Sequence, residues 1–127
     1  MDSKILEIEA IHKIANLYNA GLQRGDVELL KKAFHTQAMM YGPGMIVPIQ
    51  GLFDYVKASP APEKSGEPHK CFITKIDRVG NVASVEMLQN SYQGIDYINY
   101  FQLLKLDGNW VIVSKSFDVI KPLECHI

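Results

Sequence analysis

The dipeptide Asp107-Gly108 constrains the fold most, because it lies between two runs of alternating apolar residues. Asp-Gly in that setting is a strong signal for a two-residue β-hairpin turn. Gly80-Asn81 is a turn of the same kind, and we interpret Gln93-Gly94-Ile95-Asp96 as a four-residue loop. These turns separate four β-rich runs, over residues 69–79, 82–92, 97–106 and 109–119. The sequence therefore predicts an antiparallel meander in the C-terminal half.

The N-terminal half predicts helices instead. Apolar residues three and four positions apart indicate a helix over residues 3–23, capped by Ser3 and ended by Gly25. Asp26 can cap a short second helix over residues 27–34. Further patterns predict strands over residues 37–42 and 45–49, a helix over 51–58 and a mobile, proline-rich loop over 60–68. Helices followed by antiparallel strands indicate a single α+β domain over residues 1–127.

Composition excludes several classes of function. The 127 residues are 47% apolar, enough for a hydrophobic core, and 13 basic against 14 acidic residues give a net charge of −1. A chain without basic excess is a poor partner for nucleic acid. No signal-peptide pattern is present, and no apolar run approaches the roughly 18 residues that span a bilayer, so we expect no membrane partner.

Cysteines and histidines give no sign of a metal or redox centre. Cys71 and Cys125 are far apart and fit no metal or redox spacing, so we expect free thiols in a reducing cytoplasm. His12, His69 and His126 share no metal-ligand spacing. We therefore expect neither a metal nor a cofactor.

Turn geometry fixes strand register and hence which side chains share a face. A two-residue turn at Asp107-Gly108 pairs Leu106 with Asn109, and the four-residue loop places Val85 opposite Leu104. The face towards the helices then carries four polar residues, Gln89, Tyr100, Gln102 and Lys115. Buried polar groups without partners cost roughly 1–3 kcal/mol each, so this cluster is either satisfied internally or lines a cavity.

The same register gives the opposite face an apolar centre. Its residues are Ile73, Leu88, Phe101, Leu103, Trp110 and Ile112. Exposed apolar patches of this kind usually meet another surface, so we predict a homodimer with its sheets packed back to back. Lys75 and Glu86 fall opposite each other on this outer face as a cross-strand ion pair.

Three segments resemble the NTF2-like superfamily, a cone-shaped α+β fold in which N-terminal helices pack on a curved, mostly antiparallel sheet. They are Tyr18–Asp26 (YNAGLQRGD), Ala33–Ala38 (AFHTQA) and Tyr100–Phe117 (YFQLLKLDGNWVIVSKSF). Within that group the chain is most similar to the SnoaL-like proteins of the "putative lumazine-binding" family. The resemblance implies a ligand-binding cavity and a pteridine-like ligand. The superfamily also contains isomerases, dehydratases, hydrolases and non-catalytic modules, and a fold does not transfer chemistry.

Tyr18 matches the tyrosine that donates to an oxyanion in isomerases of this superfamily. Where those enzymes place an aspartate base before a proline, this chain has Gly42 before Pro43, which disfavours steroid-isomerase chemistry. His35 is a weak candidate for a general base, since its pKa lies near neutrality. Lys115 either extends to the rim of the cavity or binds an anionic or carbonyl group. Four further tyrosines could rim the cavity: Tyr41, Tyr55, Tyr92 and Tyr97.

Three hypotheses follow. The first is a homodimeric protein that binds a small polar or aromatic molecule through Tyr18, Gln89, Tyr100, Gln102 and Lys115. The second is an enzyme in the same cavity, an isomerase, dehydratase or hydrolase, with His35 as base and Tyr18 as oxyanion donor. The third is a dimerising interaction module with a filled cavity.

Overall fold

The computed structural model describes residues 3–121, so Cys125 and His126 lie outside the described residues. Helix α1 spans Lys4–Arg24 and α2 spans Val27–Ala33. Ser3 accepts a hydrogen bond from the Leu6 amide, and Gly25 ends α1 in the left-handed conformation that glycine adopts readily. Asp26 caps α2 by accepting from the amides of Glu28 and Leu29. The predicted caps are confirmed.

One mixed sheet contains all six strands of the described residues, in the order β2-β1-β6-β5-β4-β3. The strands are β1 (Phe34–Gly42), β2 (Met45–Pro48), β3 (Lys70–Val79), β4 (Val82–Tyr92), β5 (Ile95–Leu106) and β6 (Asn109–Val119). Strands β1 and β6 pair in parallel and every other pair is antiparallel. The α+β class and the C-terminal meander are confirmed.

Two short helices follow β2. Helix α3 spans Gln50–Ala58 and buries Leu52, Phe53 and Val56. Helix α4 spans Pro62–Ser65, with Pro62 buried. The segment predicted as a mobile loop, residues 60–68, therefore contains one helical turn, which proline at its first position favours. Mobility of this segment stays a prediction.

The hairpin turns are all two residues long. Leu106 pairs with Asn109 and Val79 pairs with Val82, as predicted. Tyr92 pairs with Ile95, so Gln93-Gly94 is a third two-residue turn and the predicted four-residue loop is wrong. Both of its residues have positive φ, 54° and 75°, which suits the twist of a hairpin.

Register also shifts at irregularities within the strands, one of them in β1 between Phe34 and Met39 and three in the meander. Those three lie between Ile73 and Lys75 in β3, between Gln89 and Tyr92 in β4, and opposite Gln102-Leu103 in β6, where Val113 is the extra residue. An extra residue in one strand displaces the pairing beyond it by one position. The shorter turn displaces β5 by two positions and the irregularity in β4 by one more, so Val85 lies opposite Phe101 rather than Leu104. A displacement by three positions exchanges the two faces of β5.

The predicted dimer face is therefore mostly core. Phe101, Leu103, Trp110 and Ile112 are buried with at most 4% of their surface exposed, and Ile73 is packed against the same core. Burying such side chains contributes roughly 1.5–3 kcal/mol each. These five residues cannot form an outer surface, because the register places them towards the helices. Leu88 alone of the predicted set stays on the outer face, where it pairs with Phe72.

Helix α1 is tied to the far end of the sheet by charge. Lys105 Nζ lies 2.7 Å from Glu7 Oε2, and the guanidinium of Arg78 lies 3.8 Å from the same oxygen. The hydrogen bond from Lys105 holds the pKa of Glu7 below its usual value. Of the helices in residues 3–121, none is long and apolar enough to cross a membrane.

Candidate functional site

A cavity of about 270 Å³ lies between the helices and the inner face of the sheet. We call it the cone cavity. Its lining residues are Tyr18, Leu22, Met40, Met45, Val47, Gly51, Leu52, Tyr55, Gln89, Tyr92, Tyr97, Lys115 and Phe117. Pockets for drug-sized ligands span about 300–1,000 Å³, so this one suits a smaller molecule. The lining is apolar apart from a few polar groups, which is the usual pattern of a small-molecule site.

Gln89 is the centre of a buried hydrogen-bond group. Its side-chain oxygen accepts from the Tyr18 hydroxyl at 2.9 Å and from the Asn99 amide nitrogen at 3.0 Å. Tyr18 comes from the apolar stripe of α1, while Gln89 and Asn99 lie on the inner faces of β4 and β5. Both donors bind the oxygen, which leaves the amide nitrogen of Gln89 without a partner among the described residues.

Lys115 lies inside the cavity rather than at its rim. Only 5% of its surface is exposed, and its Nζ lies 4.3 Å from the centroid of the Phe117 ring and 5.9 Å from that of Tyr18. Within residues 3–121, no carboxylate lies within ion-pair distance of this amine. Burial in the absence of a counter-charge lowers the pKa of Lys115 from 10.5 to about 7.

The buried tyrosines are neutral donors at neutral pH. Burial raises the pKa of Tyr18 well above its usual value and that of Tyr92 to about 12, and it also raises the pKa of Tyr97. A phenol with a raised pKa donates hydrogen bonds but does not serve as a base. Tyr55 and Met45 are the exposed edge of the cavity, with 50% and 38% of their surfaces exposed.

Three of the five predicted ligand-binding residues come together here: Tyr18, Gln89 and Lys115. The placement of the other two is wrong, because the shifted register of β5 turns them outward. Tyr100 is 48% exposed, and Gln102 is exposed with its side-chain oxygen bound by the Ser84 hydroxyl. Of the four tyrosines named as rim candidates, Tyr41 does not line the cavity and the others do.

His35 and Gly42 both bear on the enzyme hypothesis. His35 does not line the cavity, and its Nδ1 accepts a hydrogen bond from the Gln37 amide at 3.0 Å. Its proposed role as base in this cavity is therefore wrong. A Cβ atom at Gly42 would lie 2.4 Å from the Phe117 ring. The ring occupies the space that a carboxylate at this position would need, which accounts physically for the glycine.

A second polar cluster lies beside α1, and the sequence did not predict it. His69 Nδ1 lies 3.0 Å from the Gln23 side-chain oxygen, and Cys71 Sγ lies 3.5 Å from His69 Nε2. Burial raises the pKa of the Cys71 thiol to about 12 and lowers that of His69. The thiolate is the nucleophilic form, so this pair lacks an activated nucleophile at neutral pH. Nothing in their sequence spacing indicates the cluster.

Asn99 is the other polar residue that sequence reasoning missed. The predicted register placed it on the outer face, whereas its surface is 0% exposed. A two-residue turn at Gln93-Gly94, which the glycine in its second position suits, displaces β5 by two positions and so leaves Asn99 on the outer face. The extra residue of β4 between Gln89 and Tyr92 adds the third position that brings Asn99 inward, and no local signal predicts it.

Known proteins similar to this chain share its fold over nearly its whole length. A NTF2-like protein of unknown function from Shewanella baltica is 31% identical and superimposes with a TM-score of 0.88, over 95% of this chain and 99% of its own. One from Methylobacillus flagellatus is 28% identical with a TM-score of 0.85, over 94% and 97%. The aldolase FrzH of Cladobotryum sp. is 28% identical over 116 residues, which cover 87% of this chain and 90% of FrzH.

The family model described as "Putative lumazine-binding" matches residues 6–118. That range contains α1 except its first two residues, the whole of α2, every residue that lines the cone cavity, and the meander except Val119. It also contains each of the three segments that carried the sequence resemblance. The chain belongs to the family described as "Putative lumazine-binding", within the NTF2-like superfamily.

Proposed function

We propose that this protein binds a small planar molecule whose carbonyl or carboxylate oxygen faces Lys115 in the cone cavity. The observation that carries the proposal is the lysine itself, a buried amine in an otherwise apolar cavity with no carboxylate partner among residues 3–121. Lysine is almost never fully buried unless it is paired. A ligand oxygen would supply the missing partner.

The remaining lining fits a flat ligand body. Tyr92 and Tyr97 offer ring surfaces, and the amide nitrogen of Gln89 offers a second donor for an oxygen. Lumazine, a planar bicyclic dione, has these properties, and the family description points to the same class of compound. The ligand of this chain is therefore proposed as a planar compound that carries an oxo group.

Calorimetric titration with lumazine, benzaldehyde and benzoate tests the proposal. A Met45→Trp variant narrows the mouth of the cavity, and Ile46→Trp is its matched control, because Ile46 is the next residue of β2 and does not line the cavity. We expect one site per chain for at least one probe, weakened at least about tenfold by Met45→Trp and unchanged by Ile46→Trp. Failure of all three probes to bind, or equal binding by both variants, would refute it.

We propose further that the protein is a homodimer, through a different outer surface from the one the sequence indicated. The outer face of β3–β6 carries Phe72, Val82, Tyr100 and Leu106, each 41–52% exposed. Back-to-back packing of two such faces would cover them. Tyr100→Glu should yield a monomeric mass in light scattering, and Ile5→Glu on exposed α1 should not. A wild-type monomer at micromolar concentration would contradict the proposal.

Cytoplasmic location stays a prediction from the sequence.

A second candidate function is aldol-type chemistry on a carbonyl compound. The similarity to the aldolase FrzH over 87% of this chain favours it. The test is cleavage of 4-hydroxy-4-phenyl-2-butanone to benzaldehyde and acetone, followed by the absorbance of benzaldehyde. We expect turnover by the wild type and none by Lys115→Met. Equal rates in the two proteins would remove this candidate.

A further inference from the structure

We propose that Lys115 is a nucleophile whose amine condenses reversibly with the carbonyl carbon of an aldehyde or ketone in the cone cavity. The product is an iminium ion that joins the ligand covalently to the chain. This inference rests on the proposed function, since the carbonyl compound must first enter and bind in the cavity.

The position of Lys115 argues for a chemical rather than a structural role. Because Val113 is an extra residue in β6, the side chains of Lys115 and Phe117 point to the inner face of the sheet and line the cavity. Lys105 shows the ordinary arrangement in the same protein, with Glu7 at 2.7 Å. Lys115 instead faces a cavity with no carboxylate in reach among the described residues. Its amine is therefore held in an apolar site without contributing an ion pair.

The surroundings of Lys115 favour its neutral form. The titratable side chains that face it from the packed elements are Tyr18 of α1, Tyr55 of α3, Cys71 of β3, Tyr92 of β4 and Tyr97 of β5. Burial raises the pKa values of Tyr18, Cys71 and Tyr92, which leaves no anion beside the amine at neutral pH. A pKa of about 7 gives Lys115 a large neutral fraction there. Lysines desolvated in apolar pockets are the ones that form Schiff bases.

The condensation needs no oxidant, reductant or co-reactant. The lone pair of the neutral amine attacks the carbonyl carbon, a C–N bond forms, and the π electrons of C=O move to oxygen. Transfer of a proton from nitrogen to that oxygen gives a carbinolamine. A second proton, taken up from solvent water, lets this oxygen leave as water, and the nitrogen lone pair forms C=N, so the iminium ion carries the positive charge of that proton. The unpartnered amide nitrogen of Gln89 can stabilise the developing charge on oxygen, as donors in oxyanion sites do.

Reductive trapping with benzaldehyde and sodium cyanoborohydride tests the proposal, because hydride converts the iminium into a stable benzyl amine. Peptide mass spectrometry then locates the added benzyl group. We expect Lys115 to be labelled at least about tenfold faster at neutral pH than exposed Lys57 of α3. Lys115→Met and Lys115→Arg should both lose this label, while labelling of Lys57 persists in each variant.

The pH profile separates this role from simple exposure to reagent. Labelling of Lys115 should rise through a midpoint near its pKa of about 7. Labelling of Lys115 no faster than Lys57 would overturn the proposal.

Calorimetry on the same samples distinguishes the two proposals. If benzaldehyde and benzoate bind but Lys115 is not labelled, the nucleophile is refuted and the binding function stands. If lumazine, benzaldehyde and benzoate all fail to bind and no label appears, both proposals fail.

Discussion

Replacing Lys115 by Met removes a buried amine while keeping an unbranched side chain of similar length. At low pH the folded protein either buries the charged form of this lysine or keeps the amine neutral. Both cost free energy relative to the unfolded chain, in which the amine is protonated in water. Tyr18 and Phe117 border the amine and carry no negative charge to compensate. We therefore expect Lys115→Met to be more stable than the wild type, by an amount that depends on pH.

The sign and size follow from the two pKa values of this lysine. Its pKa is about 7 in the folded chain, against 10.5 in the ordinary state, a difference equivalent to about 5 kcal/mol. Between those values the unfolded chain binds more protons, so the stability of the wild type rises with pH. The free-energy cost of burying Lys115 is fully present below pH 7, and it decreases as the pH rises towards 10.5. The advantage of Lys115→Met should shrink by about 3 kcal/mol from about pH 6 to about pH 9.5.

Urea unfolding followed by the fluorescence of the single tryptophan, Trp110, measures this difference. Free energies of unfolding are compared between wild type and Lys115→Met across the pH range, so that titrations common to both proteins cancel. Lys57→Met, which removes an exposed lysine of α3, is the control. If the difference between Lys115→Met and the wild type changes with pH no more than that of Lys57→Met, the reasoning is wrong.

Three further predictions concern other parts of the molecule. Glu7→Gln should destabilise the protein at pH 7, and its effect should shrink as the pH falls from 4.5 through the lowered pKa of Glu7, because the bond from Lys105 is lost as that carboxylate protonates; urea unfolding across this pH range measures the change. Cys71 should react with iodoacetamide far more slowly in the folded chain than in urea, since burial raises its pKa to about 12; equal rates would contradict this. Gly42→Ala should force the Phe117 ring to shift, cost roughly 1–3 kcal/mol and alter probe binding in the cone cavity, and calorimetry that matches the wild type would count against it.

Most helix ends and turns of the fold were predictable from residues close together in the sequence. Ser3, Gly25 and Asp26 define the helix ends by hydrogen bonds within a few residues, so their roles are legible in the sequence. The turns at Gly80-Asn81 and Asp107-Gly108 are equally local. The short helix at Pro62–Ser65 was missed because four residues give too little periodicity, although its position is fixed by burial of Pro62.

Strand irregularities have no comparable local signal. Thr74 and Val113 are ordinary strand residues, and their extra positions arise from packing of the whole sheet. Each one reverses which residues face the helices from that point on. The misread turn at Gln93-Gly94 and the irregularity before it together displaced β5 by three positions, which turned Tyr100 outward and brought Asn99 in.

Lys115 was placed correctly only because two reversals act on it. The displaced pairing exchanges the two faces of β5, and the hairpin carries this exchange into the first residues of β6. Trp110 and Ile112 therefore face the helices, whereas the sequence predicted them on the outer face. Val113 then inverts the strand again, and Lys115 returns to the inner face that the erroneous register had assigned to it. A chain with one fewer residue at this point would keep Trp110 inside and expose the lysine. The cavity amine therefore depends on a single inserted strand residue, and deletion of Val113 should abolish labelling of Lys115 if the chain still folds with its hairpin intact.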